Sequence, residues 1–283
     1  MIPPRGGQGP PPQAAKPAGS SPQASTAFTG HEERWQARLG KLRDVVRQEL
    51  VTRQLAAELA PPPVQIIDLG CGQGTQAVAL ARREYEVTGV DASAELLARF
   101  GRALAAEPAE VRDRVRVEHG LIEDWAERPG VSRAEAVLCH GVLMYAADPG
   151  PLLRAVAGLT APGGMTSLLV RNGDGLAMRP GLLGDWATCA AALSISGGSV
   201  TYANRIGVTA RADRLADLAA RLAGLGLEVT AWYGVRVFTD TAPDDAEPPP
   251  ELEALLACEE RAGRTDPYRG VAALLHVIAR HPG

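Results

Sequence analysis

The sequence predicts an α/β fold built on a mostly parallel sheet with helices on both faces. Three observations predict it. Short apolar runs alternate with amphipathic stretches between residues 64 and 171. The first run ends in Asp68 and a glycine-rich turn, and the second ends in Asp91. Strands that alternate with helices pair in parallel, because each helix carries the chain back across the sheet.

The elements follow in order. Residues 1–30 are dominated by Pro, Gly, Ala, Ser and Gln. That composition buries too little apolar surface to offset its ordering entropy, so a disordered tail is expected there. Residues 31–283 are expected to form one domain. Residues 32–60 read as a leading helix, with Leu39, Leu42, Val46, Leu50, Leu55 and Leu59 near one face. The prolines at 61–63 stop it. Strands are predicted at 64–69, 86–90, 114–118, 134–139 and 165–171, with helices at 75–83, 94–106 and 149–160. At 172–209 no clean period survives, and a stretch that long inside a compact domain is expected to be a lid or substrate-binding insertion. Regularity returns with a helix at 211–223, closed by Gly224 and Gly226. Strands at 227–233 and 235–238, a helix at 251–261 and a last strand at 271–280 complete the chain.

The 283 residues carry a net charge of -4. Phosphate contacts supply most non-specific affinity for nucleic acid, so a general nucleic-acid coat is excluded and only a local basic site remains open. Cys71, Cys139, Cys189 and Cys258 stand in no CxxC spacing, so no metal site is expected. Scattered cysteines fit a reducing compartment. With no run of 18 apolar residues and no signal-type segment, a cytoplasmic protein without a membrane partner is expected.

Chemistry concentrates in Ile66-Ile67-Asp68-Leu69-Gly70-Cys71-Gly72-Gln73-Gly74. An apolar strand runs into Asp and then G-x-G-x-G, where glycine lets the backbone turn sharply and a ligand approach it closely. The next helix begins near Thr75, so its amides and positive dipole end face the crevice at the strand carboxyl ends. The dinucleotide fingerprint G-x-G-x-x-G needs glycine where Thr75 stands, which disfavours a nicotinamide cofactor. Asp91 can accept both ribose hydroxyls of a nucleoside; its alternative role is to cap the next helix, for which Ser93 is better suited. After the third strand, Gly120 to Trp125 is either an adenine-edge site or a solvated turn. His140 ends the fourth strand at the crevice rim, as a ligand contact or as a structural histidine.

Taken together, the Asp-x-Gly-x-Gly-x-Gly loop, the Asp91 strand end, the segment after strand three and the Pro162-Gly163-Gly164 turn resemble class I S-adenosylmethionine-dependent methyltransferases across residues 64–172. The resemblance implies a Rossmann-like fold with a seven-stranded, mostly parallel sheet and an antiparallel last strand. A closer resemblance, over residues 35–280, is to the bacterial tRNA 5-carboxymethoxyuridine methyltransferase family. It rests on Lys41-Leu42-Arg43, His140-Gly141-Val142-Leu143, Ala147-Asp148-Pro149, Asn172, Gly234 to Asp240, Asp266-Pro267-Tyr268 and His276-Val277. It implies S-adenosylmethionine as cofactor, contacted by Arg43, Gly70, Cys71, Asp91, Ile122, Glu123 and His140, with tRNA as a partner; the glycine-rich loop adds Asp68, Gly72 and Gly74 to the expected cofactor-binding residues.

No catalytic triad stands out. A carboxylate acceptor is already ionised near neutral pH and needs no general base. Arg171, Arg179, Arg205 and Arg236, with Asn172, are candidates to hold an anionic acceptor, since guanidinium meets carboxylate in a bidentate fork. Two other readings stand beside this one: the same enzyme acting on a small metabolite, and a cofactor-binding module without turnover.

Overall fold

The computed structural model describes residues 39–195, 197–198, 200–203 and 209–283. The expected tail, the first part of the expected leading helix and Arg205 lie outside the described residues. Within the described residues the leading helix, α1, spans Leu42–Glu58, and Gly40 stands just before it at φ +75°. Its apolar face buries Val46, Leu50, Val51 and Leu55.

The alternating region follows the expected order. It comprises β1 (Gln65–Leu69), α2 (Thr75–Ala81), β2 (Glu86–Asp91), α3 (Ala94–Ala105), α4 (Ala109–Arg112) and β3 (Val115–His119). Then come α5 (Ile122–Ala126), β4 (Ala134–His140), α6 (Gly150–Leu159) and β5 (Thr160–Arg171). The distal part holds α7 (Met178–Leu182), α8 (Trp186–Leu193), the hairpin β6 (Val200–Ala203) and β7 (Thr209–Ala212), and α9 (Leu215–Ala223). It closes with β8 (Glu228–Val235), α10 (Leu252–Ala262) and β9 (Leu274–Arg280).

Seven strands form one sheet in the order β3-β2-β1-β4-β5-β9-β8. Strands β1 to β5 pair in parallel, and β9 runs antiparallel to both β5 and β8. Both faces are covered, and successive residues serve opposite cores. In β4, Ala136 and Leu138 join one apolar cluster, while Val137 and Cys139 join the other. That is why the parallel strands read as apolar runs rather than alternating ones. The order reverses between β1 and β4, which puts the ends of β1, β2, β4 and β5 around one crevice.

Three expectations need correction. Residues 211–214 are not helical: β7 ends at Ala212, and Asp213 makes a bridge to Asn172, so tertiary pairing overrides the local pattern. The separate strand expected at 235–238 does not form: β8 runs on to Val235 and the strand ends there, where Arg236 turns to φ 61°. The last strand begins at Leu274, after a 3-10 turn at Tyr268–Val271. The aperiodic 172–209 stretch holds two short helices and part of a hairpin. Its pattern is blurred because Leu182, Leu183, Trp186 and Leu193 remain exposed.

Candidate functional site

The glycine turn is pinned to the end of β2. Gly70 and Cys71 donate backbone N–H bonds to the Val90 carbonyl at 2.8 and 3.1 Å. The Asp91 carboxylate accepts from Gly72 N at 2.8 Å through Oδ2 and from Ser93 N at 2.8 Å through Oδ1. These bonds fix the carboxylate's aim, and a carboxylate offers about four acceptor sites in all. Ser93 is the N-cap of α3, accepting from Leu96 N at 3.3 Å. The capping alternative for Asp91 thus falls to its neighbour.

The glycines do different work. Gly72 sits at φ +56°, and a Cβ there would meet only Leu96 Cδ1 at 3.9 Å, so its open side faces the crevice. Gly74 is required by packing: a Cβ would lie 2.1 Å from the buried Phe100 ring. Beneath the turn, burial and the neighbouring Asp91 push the Asp68 carboxyl up to about 7. Burial also raises the Cys71 thiol well above its ordinary value, with Asp68 and Asp91 adding to it.

The crevice opens into a cavity of about 810 Å³, inside the range of about 300–1,000 Å³ usual for cofactor and small-ligand sites. Of the sequence-predicted residues, Arg43, Gly70, Gly72, Asp91, Ile122, His140, Arg171 and Arg236 line it together. Asp68, Cys71, Gly74, Glu123 and Asn172 do not. Asn172 serves the fold instead: its Nδ2 donates to the carbonyls of Gly270 and Ala272, and its Oδ1 accepts from Asp174 N. Glu123 lies behind Ile122, and its Oε2 is buried without a hydrogen-bond partner among the described residues.

The far end of the cavity is cationic. Asp240 accepts from Arg171 Nη1 at 3.4 Å and pairs with Arg236 Nη2 at 3.3 Å, while Arg43 Nη1 donates to its backbone carbonyl at 3.3 Å. Arg43 also pairs with Asp244. Burial would raise the Asp240 carboxyl, but Arg236, Arg171, Arg179 and Arg43 outweigh it and hold it below the usual range. Burial pushes the Arg236 guanidinium down, with Asp240 opposing. The Nε atoms of Arg171 and Arg236 are buried with no hydrogen-bond partner among the described residues. Tyr202 of β6 closes over this group, with Arg171 5.9 Å from its ring centre. Tyr202, Arg47 and Asp240 also line the cavity and carried no site role in the sequence reading; for Asp240 only its long-range pairing exposes one.

His140 is held from behind by a buried chain. Its Nε2 lies 2.8 Å from Ser167 Oγ, which lies 2.7 Å from His276 Nε2, and His276 Nδ1 meets Gln54 Oε1 at 2.7 Å. With Gln54 Oε1 accepting, His276 carries its proton on Nδ1, Ser167 donates to His276, and His140 donates to Ser167. Burial depresses His276 to about 3. Burial, His276 and Arg47 hold His140 well below the ordinary range, so both rings are neutral at pH 7.

Residues 67–166 match the model of a methyltransferase domain. Over 248 residues the chain is 31% identical to tRNA 5-carboxymethoxyuridine methyltransferase of Escherichia coli K12, covering 86% of this chain and 89% of that one. The chain belongs to the S-adenosylmethionine-dependent methyltransferases. The methyltransferase is also 33% identical to a ubiquinone biosynthesis O-methyltransferase of Psychrobacter arcticus, over 42% of its own length and 45% of the relative's. Among solved structures, it shares its fold with the 1,6-didemethyltoxoflavin-N1-methyltransferase of Burkholderia thailandensis, at TM-score 0.57 and 18% identity over 95% of each chain. A glycopeptide N-methyltransferase complexed with S-adenosylmethionine gives TM-score 0.53 and 16% identity, over 83% of this chain and 94% of that one.

The site of the methyltransferase fits the cofactor. Asp91 suits a ribose diol, Gly72 leaves room beside the main chain, and Leu96 and Ile122 offer apolar walls to a base. Glu123 stands behind that wall, its Oε2 buried and without a hydrogen-bond partner among the described residues. No described helix is long and apolar enough to cross a membrane.

Proposed function

We propose that this methyltransferase esterifies a carboxylate carried by a modified wobble uridine of tRNA, with the acceptor anion seated between Arg171 and Arg236. The observation that carries this reading is the guanidinium group around Asp240. Several cations converge on one carboxylate at the end of the cavity opposite Asp91, and two buried Nε donors have no partner there. Guanidinium is the side chain best matched to a carboxylate. The likeness to the Escherichia coli enzyme over most of both chains supports the same acceptor.

S-adenosylmethionine, when bound, supplies an electrophilic methyl group. The chain's own task is to align the acceptor oxygen and exclude water. An acceptor carboxylate is ionised at neutral pH, so no proton must be removed. This agrees with a neutral His140 whose Nε2 is committed to Ser167. The proposed cofactor contacts are Arg43, Gly70, Gly72, Asp91, Ile122, His140 and the Glu123 carboxylate. The 172–209 segment, which contributes Arg179, Leu183 and Tyr202 to the lining, acts as the acceptor's cover. A tRNA acceptor places the enzyme in the cytoplasm.

The test is methyl transfer from labelled S-adenosylmethionine to tRNA bearing 5-carboxymethoxyuridine, with unmodified tRNA and small carboxylic acids in parallel. Label should enter only the modified tRNA and be released by mild alkali, as an ester is. Label in small acids but not in tRNA would establish a metabolite acceptor and overturn the proposal. Saturable binding of S-adenosylhomocysteine without turnover on any acceptor would favour a binding module.

A further inference from the structure

The arm that carries Arg236 and Asp240 into the cavity has no regular secondary structure at Arg236, Val237 and Phe238, yet it is not loose. Arg236 takes φ 61°, a left-handed conformation unusual for a residue with a side chain. The three residues after it turn successive amides toward a single fully buried carboxylate, that of Glu259 on α10. Oε2 accepts from Val237 N at 2.7 Å. Oε1 accepts from Phe238 N at 3.0 Å, Thr239 N at 2.8 Å and Thr239 Oγ1 at 2.7 Å. Successive amides in such a turn form an anion-binding concavity, and here the anion is supplied from within the chain.

We propose that Glu259 is a positioning residue for the acceptor site: its carboxylate sets the backbone turn that aims Arg236 and Asp240 at the acceptor anion. This rests on the reading of the cationic end as the acceptor site. Glu259 does not line the cavity and is not bonded to the glycine turn or Asp91, so it acts first on the acceptor arm and reaches the cofactor contacts only through the bond from Arg43 to the Asp240 carbonyl. The four bonds are charge-assisted, the stronger class of hydrogen bond, and a neutral amide cannot replace all of them. In Glu259→Gln one oxygen is lost, and an N–H donor then faces another donor at Val237, Phe238 or Thr239.

The experiment compares wild type with Glu259→Gln using 5-carboxymethoxyuridine tRNA as acceptor, S-adenosylhomocysteine titration, and mass-spectrometric timing of phenylglyoxal modification at Arg236. Acceptor KM should rise about tenfold or more, as loss of one charge-assisted bond implies, while kcat and S-adenosylhomocysteine affinity stay near wild type. Arg236 should be modified faster. Placed on Arg236→Ala, the same substitution should add little to KM, because the two act through one element. A lowered melting temperature with unchanged KM and unchanged Arg236 reactivity would leave Glu259 a merely structural residue and overturn the inference. So would KM effects that multiply in the double variant. Should Glu259→Gln fail to fold, Thr239→Val removes one of the four bonds and must shift KM and Arg236 reactivity in the same direction. If the wild type does not methylate the modified tRNA, the acceptor assignment fails, and the Arg236 reactivity still decides whether Glu259 holds the arm.

Discussion

At the Asp91 end of the cavity the lining is largely main chain: a glycine turn of positive φ, tied by its own amides to Val90 and Asp91, with Gly72 and Asp91 19 residues apart in sequence. At the Asp240 end it is side chain. Arg43, Arg171, Arg179, Arg236 and Asp240 come from a leading helix, a strand end, an insertion and a distal loop. On the proposed reading, the first end holds the cofactor through backbone geometry, whereas the second meets the acceptor through charge. The solved structures at 16–18% identity share the fold, and a fold by itself does not fix the acceptor.

The sharpest way to break this comparison is Asp91→Ala. It removes the acceptor of two backbone amides and of the proposed ribose contacts, so S-adenosylhomocysteine affinity measured by calorimetry should fall about a hundredfold or more. Retained affinity would dismiss the main-chain end as the cofactor site.

Arg236→Ala addresses the opposite end. Acceptor KM should rise on the order of tens of fold, with S-adenosylhomocysteine affinity near wild type, because the guanidinium belongs to the proposed acceptor end and pairs there with Asp240. Equal losses at both ligands would merge the two ends into one site.

Asp68→Asn separates folding from binding. The folded Asp68 carboxyl is raised to about 7, above its unfolded value of about 3.9. Its favourable contribution is complete below about pH 4 and is lost as pH rises through 7. Between pH 5 and pH 8 the wild type should lose several degrees of melting temperature more than the variant, at roughly 2–4 °C per kcal/mol for a chain nearing this size. The depressed His276 works in the opposite sense, losing stability as pH falls below about 6.5, and cancels in the comparison. Parallel melting curves for the two proteins would rule out the buried, protonated Asp68.

Glu123→Gln is the mildest test. On the proposed contact between its carboxylate and the cofactor base, the variant should bind S-adenosylhomocysteine roughly fivefold more weakly. No change would confine Glu123 to the wall behind Ile122.

The glycine turn, Asp91, Ile122 and His140 were legible because each sits at a fixed offset from a strand end, and the strand order carries those offsets to one crevice. The remaining assignments were harder for physical reasons. Asn172 looked like a ligand residue because it follows β5, yet two buried carbonyls claim its amide. Gly74 looked like part of the ligand turn, yet it answers to Phe100 across the helix pair. Residues 211–214 carried the composition of a helix start, and the bridge from Asp213 to Asn172 kept them extended.

From the sequence alone came the α/β alternation, the glycine turn and the carboxylate one strand over, because hydrogen-bonding geometry near a strand end is a local property of the backbone. Only the tertiary structure decided which arginines share a carboxylate, that Glu259 holds the arm carrying two of the charges, and that His140 ends a buried chain reaching Gln54. Those pairings join residues up to 222 positions apart. Nothing in their local pattern records the partner, which sheet order and packing bring within reach.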